Sequence, residues 1–250
     1  MLKPRQRQTG ILSVVAETGE VTVDALALRF DVSAETIRRD LHQLAESGAL
    51  QKVHGGARRS RLHAESSYDE RMAQDAGAKA VIAQKLKTLV TPGDTLFIDN
   101  GTTTLACAEV LSAVADLTVI TNSLHVAQIL GRGRSKVYLL GGAFVPESAE
   151  TVGPLVIAQI GRFQADHAVL TVSALDVEAG ATDSDFEEAQ VARAMMEHAR
   201  NTVVVAGRAK LGRKAAFRVC RLDEIDVLVC DETPPDAFVA ALDAAQVDWR

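Results

Sequence analysis

Six short, apolar, β-branched runs punctuate the chain after residue 90: DTLFID (94–99), LTVIT (117–121), KVYLL (136–140), HAVLTV (167–172), NTVVVA (201–206) and IDVLVC (225–230). Segments with helical periodicity lie between most of them. Parallel strands need long crossovers, and crossover helices bury the sheet they connect. The alternation therefore predicts a mainly parallel α/β sheet covered on both faces. No exact internal repeat and no low-complexity tract interrupts it. The first 60 residues do not follow this pattern.

Arg7 to Glu17 carries Ile11, Leu12, Val14 and Val15 on one side of a helix that ends at Thr18-Gly19. Thr22 is placed to cap a second helix, Val23 to Phe30, with Leu26, Leu28 and Phe30 among its apolar positions. After a tight connection at Asp31-Val32, Ser33 caps a third. There Ile37, Leu41 and Leu44 fall at i, i+4 and i+7 and form one buried stripe. Ser47-Gly48 stops it, and ALQKVHGGA reads as a short strand or hairpin. Helix, helix, four-residue turn, helix and wing make a winged helix-turn-helix pattern. We therefore expect a winged helix-turn-helix domain over 1–57, a polar linker over 58–68 and an effector-sensing α/β domain over 69–250. The last opens with a helical pattern from about Tyr68 to Val90, with Ile82, Leu86 and Leu89 in phase.

Charge separates the same two parts. The chain has a net charge of −6, yet residues 1–63 hold ten Lys/Arg against seven Asp/Glu, which leaves 17 against 26 for the remainder. A basic head on an acidic body predicts that only the head meets a polyanion. With the apolar stripe turned inward, Glu35, Thr36, Arg38, Arg39, His42 and Gln43 remain on or near the outer surface of the third helix. Arginine offers guanine a bidentate contact, glutamine offers one to adenine, and threonine meets a phosphate or a thymine methyl. Lys52, His54, Arg58 and Arg59 are placed to reach the flanking backbone. An isolated Arg pair reads as a solvated helix face. Inside a helix-turn-helix, in the only basic part of the chain, it reads as DNA recognition.

Other classes find little support. Apolar residues make up 47%, ample for a packed core, and no apolar run approaches the ~20 residues that span a bilayer. MLKPRQRQTG lacks the apolar segment of a signal peptide. Cys107, Cys220 and Cys230 form no Cys-x-x-Cys pair and read as reduced, mostly buried thiols. Together these predict a soluble cytoplasmic protein. His125, His167 and His198 have no metal-ligand spacing, and no serine sits in a Gly-x-Ser-x-Gly elbow, so neither a metal nor a cofactor is expected.

The stretch VSAETIRRDLHQLAESGALQKVHGGA (32–57) resembles the DNA-binding signature of the DeoR family of bacterial transcriptional regulators. The resemblance implies that Ser33, Thr36, Arg38 and Arg39 engage DNA and that His54-Gly55-Gly56 belongs to the wing. Lys52 stands where the family often has arginine.

In the body, DNGTTT (Asp99 to Thr104) sits where the first strand ends and a helix begins. Gly101 allows close backbone approach, while free amides and the hydroxyls of Thr102, Thr103 and Thr104 suit a phosphate. The second strand ends in Thr121, Asn122 and Ser123, and the third in LLGG with Gly141 and Gly142. Each stretch alone also reads as turn and cap residues. Strand ends of a parallel sheet converge on the edge where ligands bind, so three together point to a site. These elements resemble the sensor domain of the DeoR family, which is similar to the ribose-5-phosphate isomerase fold. That implies a phosphorylated sugar or sugar-alcohol effector, with Lys210 of AGRAKLG near the pocket. Arg208, Arg213 and Lys214 keep that region cationic. The chain departs from the family at Gly207, Ala209 and Ala174, where Asp, Ser and Gly are common. Glu188 has two readings, a ligand-hydroxyl contact or a salt bridge with Arg193 or Arg200. Its segment, DFEEAQVARAMMEHA, and the later DETPP are worded closest to the glycerol-3-phosphate repressor branch.

Two functions of different classes follow. One is a repressor that binds palindromic operator DNA as a homodimer or homotetramer and responds to a sugar phosphate. The other is a sugar-phosphate isomerase-like enzyme, with Asp99 or Glu188 as base and Lys210 as electrophile. The enzyme leaves the first 60 residues without a role, so the regulator is the expectation.

Overall fold

The computed structural model describes residues 4–46, 50–53, 55–59 and 65–250. The chain divides into two compact units, Met1–His63 and Ala64–Arg250.

In the first unit, α1 (Pro4–Thr18), β1 (Glu20–Thr22), α2 (Val23–Phe30), α3 (Ala34–Glu46), β2 (Leu50–Val53) and β3 (Gly56–Arg59) follow in order. Thr22 caps α2 by accepting from the Ala25 amide. Asp31 ends α2 in the left-handed region (φ 50°), and residues 31–33 separate α2 from α3. Ile37 and Leu41 are fully buried and Leu44 nearly so, packing with Ile11, Val14, Val15 and Leu26. Leu28 does not join them: it is 86% exposed, because the apolar face of so short a helix passes through Leu26 instead. The three strands pair antiparallel in the order β1-β3-β2, so β1 extends the expected hairpin into a small sheet. Gly56 is required there, since a Cβ would overlap the Val21 carbonyl oxygen of β1. Arg58 and Arg59 lie in β3 rather than in a linker.

The second unit opens with α4 (Tyr68–Ala73) and α5 (Ala76–Lys87). A single helix was expected here, but Asp75 adopts φ 52° and breaks it. A capping box between Ser67 and Glu70 fixes the start of α4. The alternation then runs β4 (Thr95–Ile98), α6 (Thr102–Leu111), β5 (Thr118–Thr121), α7 (Leu124–Leu130) and β6 (Lys136–Leu139). After it come β7 (Ala143–Val145), β8 (Glu150–Val152), α8 (Pro154–Ile160), β9 (Ala165–Leu170), β10 (Ala174–Asp176), β11 (Gly180–Asp183) and α9 (Phe186–Glu197). The chain finishes with β12 (Ala199–Val205), β13 (Phe217–Cys220), β14 (Val227–Val229), α10 (Asp236–Ala244) and β15 (Asp248–Trp249).

Seven strands form one all-parallel sheet, ordered β15-β14-β12-β9-β4-β5-β6. Six of them are the six apolar runs. The period of two decides which face each residue covers. Phe97, Ala168, Leu170, Val204 and Leu228 pack against α8, α9 and α10. Leu96, Ile98, Val169, Val203 and Val205 pack against α5, α6 and α7. From β4 the sheet grows through β5 and β6 on one side and through β9 and later strands on the other. The gap between the carboxyl ends of β4 and β9 is therefore the topological switch point, where α/β sheets bind ligands. Two small antiparallel sheets, β7-β8 and β10-β11-β13, rise beside the parallel sheet and were not anticipated.

Candidate functional site

The outer face of α3 carries the residues expected to meet DNA. Arg38, Arg39, His42 and Gln43 are exposed. Ser33 accepts from the Thr36 amide at 3.2 Å and its hydroxyl lies 2.9 Å from that of Thr36, so both hold the N-terminus of the helix. Arg38 pairs loosely with Glu35 (3.4 Å) in the open, an ion pair weak enough to be exchanged for a phosphate. Gln43 accepts from Gln8 at 2.6 Å. Behind this face lies a contact no sequence pattern announced. Arg7 of α1 donates through Nε to Asp40 Oδ2 (2.5 Å) and through a terminal nitrogen to Oδ1 (3.2 Å), and both side chains are buried. This fork locks α3 to α1. In the wing, Lys52 and Gly55 are exposed, Gly55 with φ 75° at the turn. Gly56 is buried, so its role is structural. His54 lies outside the described residues.

At the switch point of the second unit lies a small polar cleft lined by Asp99, Asn100, Asn122, Glu150, Thr171, Asp183, Glu188, Val191 and Ala192. Four carboxyl groups converge there, against the expectation of a cationic pocket. Asp99 accepts from the Thr171 amide through Oδ2 (2.7 Å), while its Oδ1 finds no partner among the described residues. Burial holds its carboxyl well above the usual range. Glu150 accepts from Ser148 (2.7 Å) and Asn122 (3.0 Å), and burial raises it too. Glu188 is held far above its ordinary value by burial, and next by the neighbouring charges of Glu150 and Asp183. Carboxyl groups this close oppose one another's ionisation, which with burial favours the protonated form of Glu188. Asp183, likewise raised by burial, accepts from Ser173 at 3.0 Å. Both amide atoms of Asn100, the carbonyl oxygen of the Asn122 side chain and the hydroxyls of Thr171 and Tyr68 also find no partner among the described residues. Tyr68 stacks on His125 at 5.8 Å. Buried polar atoms left unpaired cost free energy until something fills them. Donors and acceptors of both kinds, with few charges of the opposite sign, suit a ligand rich in hydroxyls.

The expected effector residues divide accordingly. Asp99 and Asn122 line the cleft. Gly101 caps α6, and a Cβ on it would overlap the Thr171 side chain. Thr102 and Thr103 open α6, whose first-turn amides have no acceptor within the helix. Thr104 is fully buried and donates to the Gly101 carbonyl at 3.0 Å, so its hydroxyl serves the loop. Thr121 accepts from the Ser123 amide and Ser123 from the Val126 amide, both shaping the β5–α7 turn. Gly141 is bridged by Gln159, and Gly142 is packed where a Cβ would strike Val156 and the Val152 carbonyl. Lys210 donates to the Val172 carbonyl (2.5 Å) and pairs with Glu65 (3.1 Å). Arg208 and Lys214 are spent elsewhere, on Glu232 and on Asp176 with Glu178. Among the described residues Glu188 makes no ion pair with Arg193 or Arg200; Arg200 faces Asp166 instead. Glu150 and Asp183 escaped the sequence reading because they arrive on the two unanticipated antiparallel sheets.

Among the described residues no group of His, Cys, Asp and Glu is arranged to hold a metal ion, and no helix is long and apolar enough to cross a membrane.

Comparison with known proteins agrees with both halves. The DeoR-like helix-turn-helix domain matches residues 7–61, and the DeoR C terminal sensor domain matches residues 74–232. The HTH-type transcriptional repressor CsqR of Escherichia coli K12 is 34% identical over 246 residues, 98% of this chain and 94% of that protein. The Glycerol-3-phosphate regulon repressor of the same organism is 31% identical over 242 residues, 96% of each. The HTH-type transcriptional repressor GlcR of Bacillus subtilis is 33% identical over 245 residues, 97% of this chain and 94% of that protein. Among solved structures, a D-ribose-5-phosphate isomerase in complex with phospho-erythronic acid aligns with a TM-score of 0.40 and 13% identity, over 59% of this chain and 55% of its own. With a sensor-domain match over most of its length and relatives aligned nearly end to end, the chain belongs to the DeoR family of helix-turn-helix transcriptional regulators.

Proposed function

We propose that this protein represses a sugar or polyol catabolic operon and leaves its operator when a phosphorylated sugar or sugar alcohol fills the cleft. The first unit holds operator DNA through Thr36, Arg38, Arg39 and Gln43 on α3 and through Lys52 of the wing, as a homodimer or homotetramer on palindromic half-sites about one helical turn apart. The effector's hydroxyls meet Asp99, Asn122, Glu150 and Glu188, and its phosphate meets the first-turn amides of α6 with Lys210 close by. The observation that carries this reading is the coincidence, at the switch point of the sheet, of unpaired buried polar atoms with a helix N-terminus. The relatives' names as repressors support the direction of control. The ligand acts by fitting better the arrangement that binds DNA poorly, and it weakens operator binding by that differential.

The test is fluorescence anisotropy of the full chain on DNA selected from a random pool, titrated with phosphorylated sugars and polyols and their unphosphorylated partners. Release by one phosphorylated compound alone is expected; release by none, or equally by the free sugars, sinks the effector half of the reading. The protonated Glu188 also gives the isomerase alternative an acid. Turnover of ribose 5-phosphate by the purified chain would bring that reading forward.

A further inference from the structure

Lys210 does not point its ammonium at open solvent. Its Nζ pairs with Glu65 Oε1 at 3.1 Å, and the other oxygen of the same carboxylate pairs with Arg71 at 2.8 Å. The Glu65 side chain is only 10% exposed. Its two partners come from distant parts of the chain, α4 and the turn after β12. Arg71 also donates to the Ser66 carbonyl at 2.9 Å, which folds residues 65–71 into one closed loop at the start of the unit. A third cation, Lys79, donates to the carbonyls of Arg71 and Gln74 and lies near enough to both cations to feel their charge. Glu65 thus pairs with two cations, and the third, Lys79, lies beside them with Asp75 as an opposing charge.

This cluster adjoins the cleft. The carbonyl that holds Lys210 belongs to Val172, next in the chain to the cleft residue Thr171. Glu65 is close enough to Asp183 and Glu188 to oppose their ionisation. Two hydrogen-bonding cations at the rim of a hydroxyl-binding cleft are the complement of an anionic group on the ligand. A phosphate brings more charge and more acceptor oxygens than a carboxylate, and forms stronger charge-assisted bonds with arginine and lysine.

We propose that the carboxylate of Glu65 is an internal stand-in for the effector's phosphate: the ligand takes Arg71 and Lys210 and expels Glu65 from the rim. The proposal rests on the sugar-phosphate reading above and adds the way binding is sensed. Glu65 lies at the start of the sensor unit, directly after the residues that lead from the DNA-binding unit. Effector binding and the anchoring of that segment then exclude each other. A ligand that binds only when Glu65 is displaced discriminates between two arrangements of the chain, which is what control at a distance requires.

The test compares the full-length wild type with Glu65→Gln by calorimetry, using inorganic phosphate and a panel of sugar phosphates as probes. Removing the internal competitor should tighten every phosphate-bearing probe by about tenfold, the worth of one charge-assisted hydrogen bond. Hydrogen exchange supplies the second readout. Amides of residues 65–71 should lose protection when a phosphate probe binds the wild type, and should lack it in Glu65→Gln without ligand. Equal affinity in the two proteins, or weaker binding in the variant, overturns the stand-in and leaves the sugar-phosphate site intact. If no phosphate-bearing probe binds either protein, the sugar-phosphate reading itself fails and this inference with it.

Discussion

At the residue scale, two buried charged groups carry most of the consequence. The Arg7–Asp40 fork joins α1 to α3, the helix proposed to read DNA, yet neither side chain belongs to the outer face. Removing one partner strands the other in the core of a small unit. Arg7→Ala is expected to cost about 3 kcal/mol of stability and to weaken DNA binding, read from denaturant unfolding and anisotropy. Lys52 differs in kind. As an exposed residue proposed to meet a phosphate, its loss in Lys52→Ala should leave stability unchanged and lower the salt dependence of DNA binding by about one counterion. Glu188 tests the cleft. Its native pKa lies above the ordinary 4.5, so the folded state holds a proton that the unfolded state releases. Stability from this group is complete below about pH 4.5 and is lost as pH rises toward the native value. Glu188→Gln, neutral throughout, should melt higher than wild type near neutral pH, with the gap closing as pH falls toward 4.5; an equal gap at every pH would contradict a protonated Glu188.

At the element scale, the legible parts were those with a strong period. The stripe Ile37, Leu41, Leu44 placed α3, and the six β-branched runs placed six of the seven parallel strands. The long helix expected from Tyr68 failed at Asp75 because a left-handed residue leaves no trace in hydrophobic spacing. β1, β7, β8, β10 and β11 were invisible for a related reason: none of them lies in an apolar, β-branched run like those that marked the parallel strands. Half the cleft was lost with them. Asp99 and Asn122 follow strands marked by apolar, β-branched runs and were found, whereas Glu150 and Asp183 sit on strands without one. The hidden strands also make a prediction. Gly56→Ala drives a Cβ into the Val21 carbonyl where β3 meets β1, and should cost about 1–3 kcal/mol through overpacking, with loss of DNA binding.

At the scale of the whole molecule, the two units keep separate cores, one within residues 11–57 and the others within 82–247. Separate cores permit separate unfolding. Calorimetry of the full chain should resolve two transitions, and a phosphorylated ligand at about 100 times its dissociation constant should raise only the sensor's, by roughly 2.7 kcal/mol. One merged transition that moves with ligand would instead mean that the units unfold together.

The acidity of the cleft also filters what the cell can present to it. Asp99, Glu150, Asp183 and Glu188 surround the space beyond the rim, so a second anionic group carried there would meet carboxyls rather than cations. On the sugar-phosphate reading proposed above, bisphosphates, nucleotides and dicarboxylates are expected to bind poorly to such a chamber. What that reading expects it to admit is charged at one end and neutral at the other, the form a sugar or polyol has after a single phosphorylation. On that reading the regulator counts charges before it reads stereochemistry.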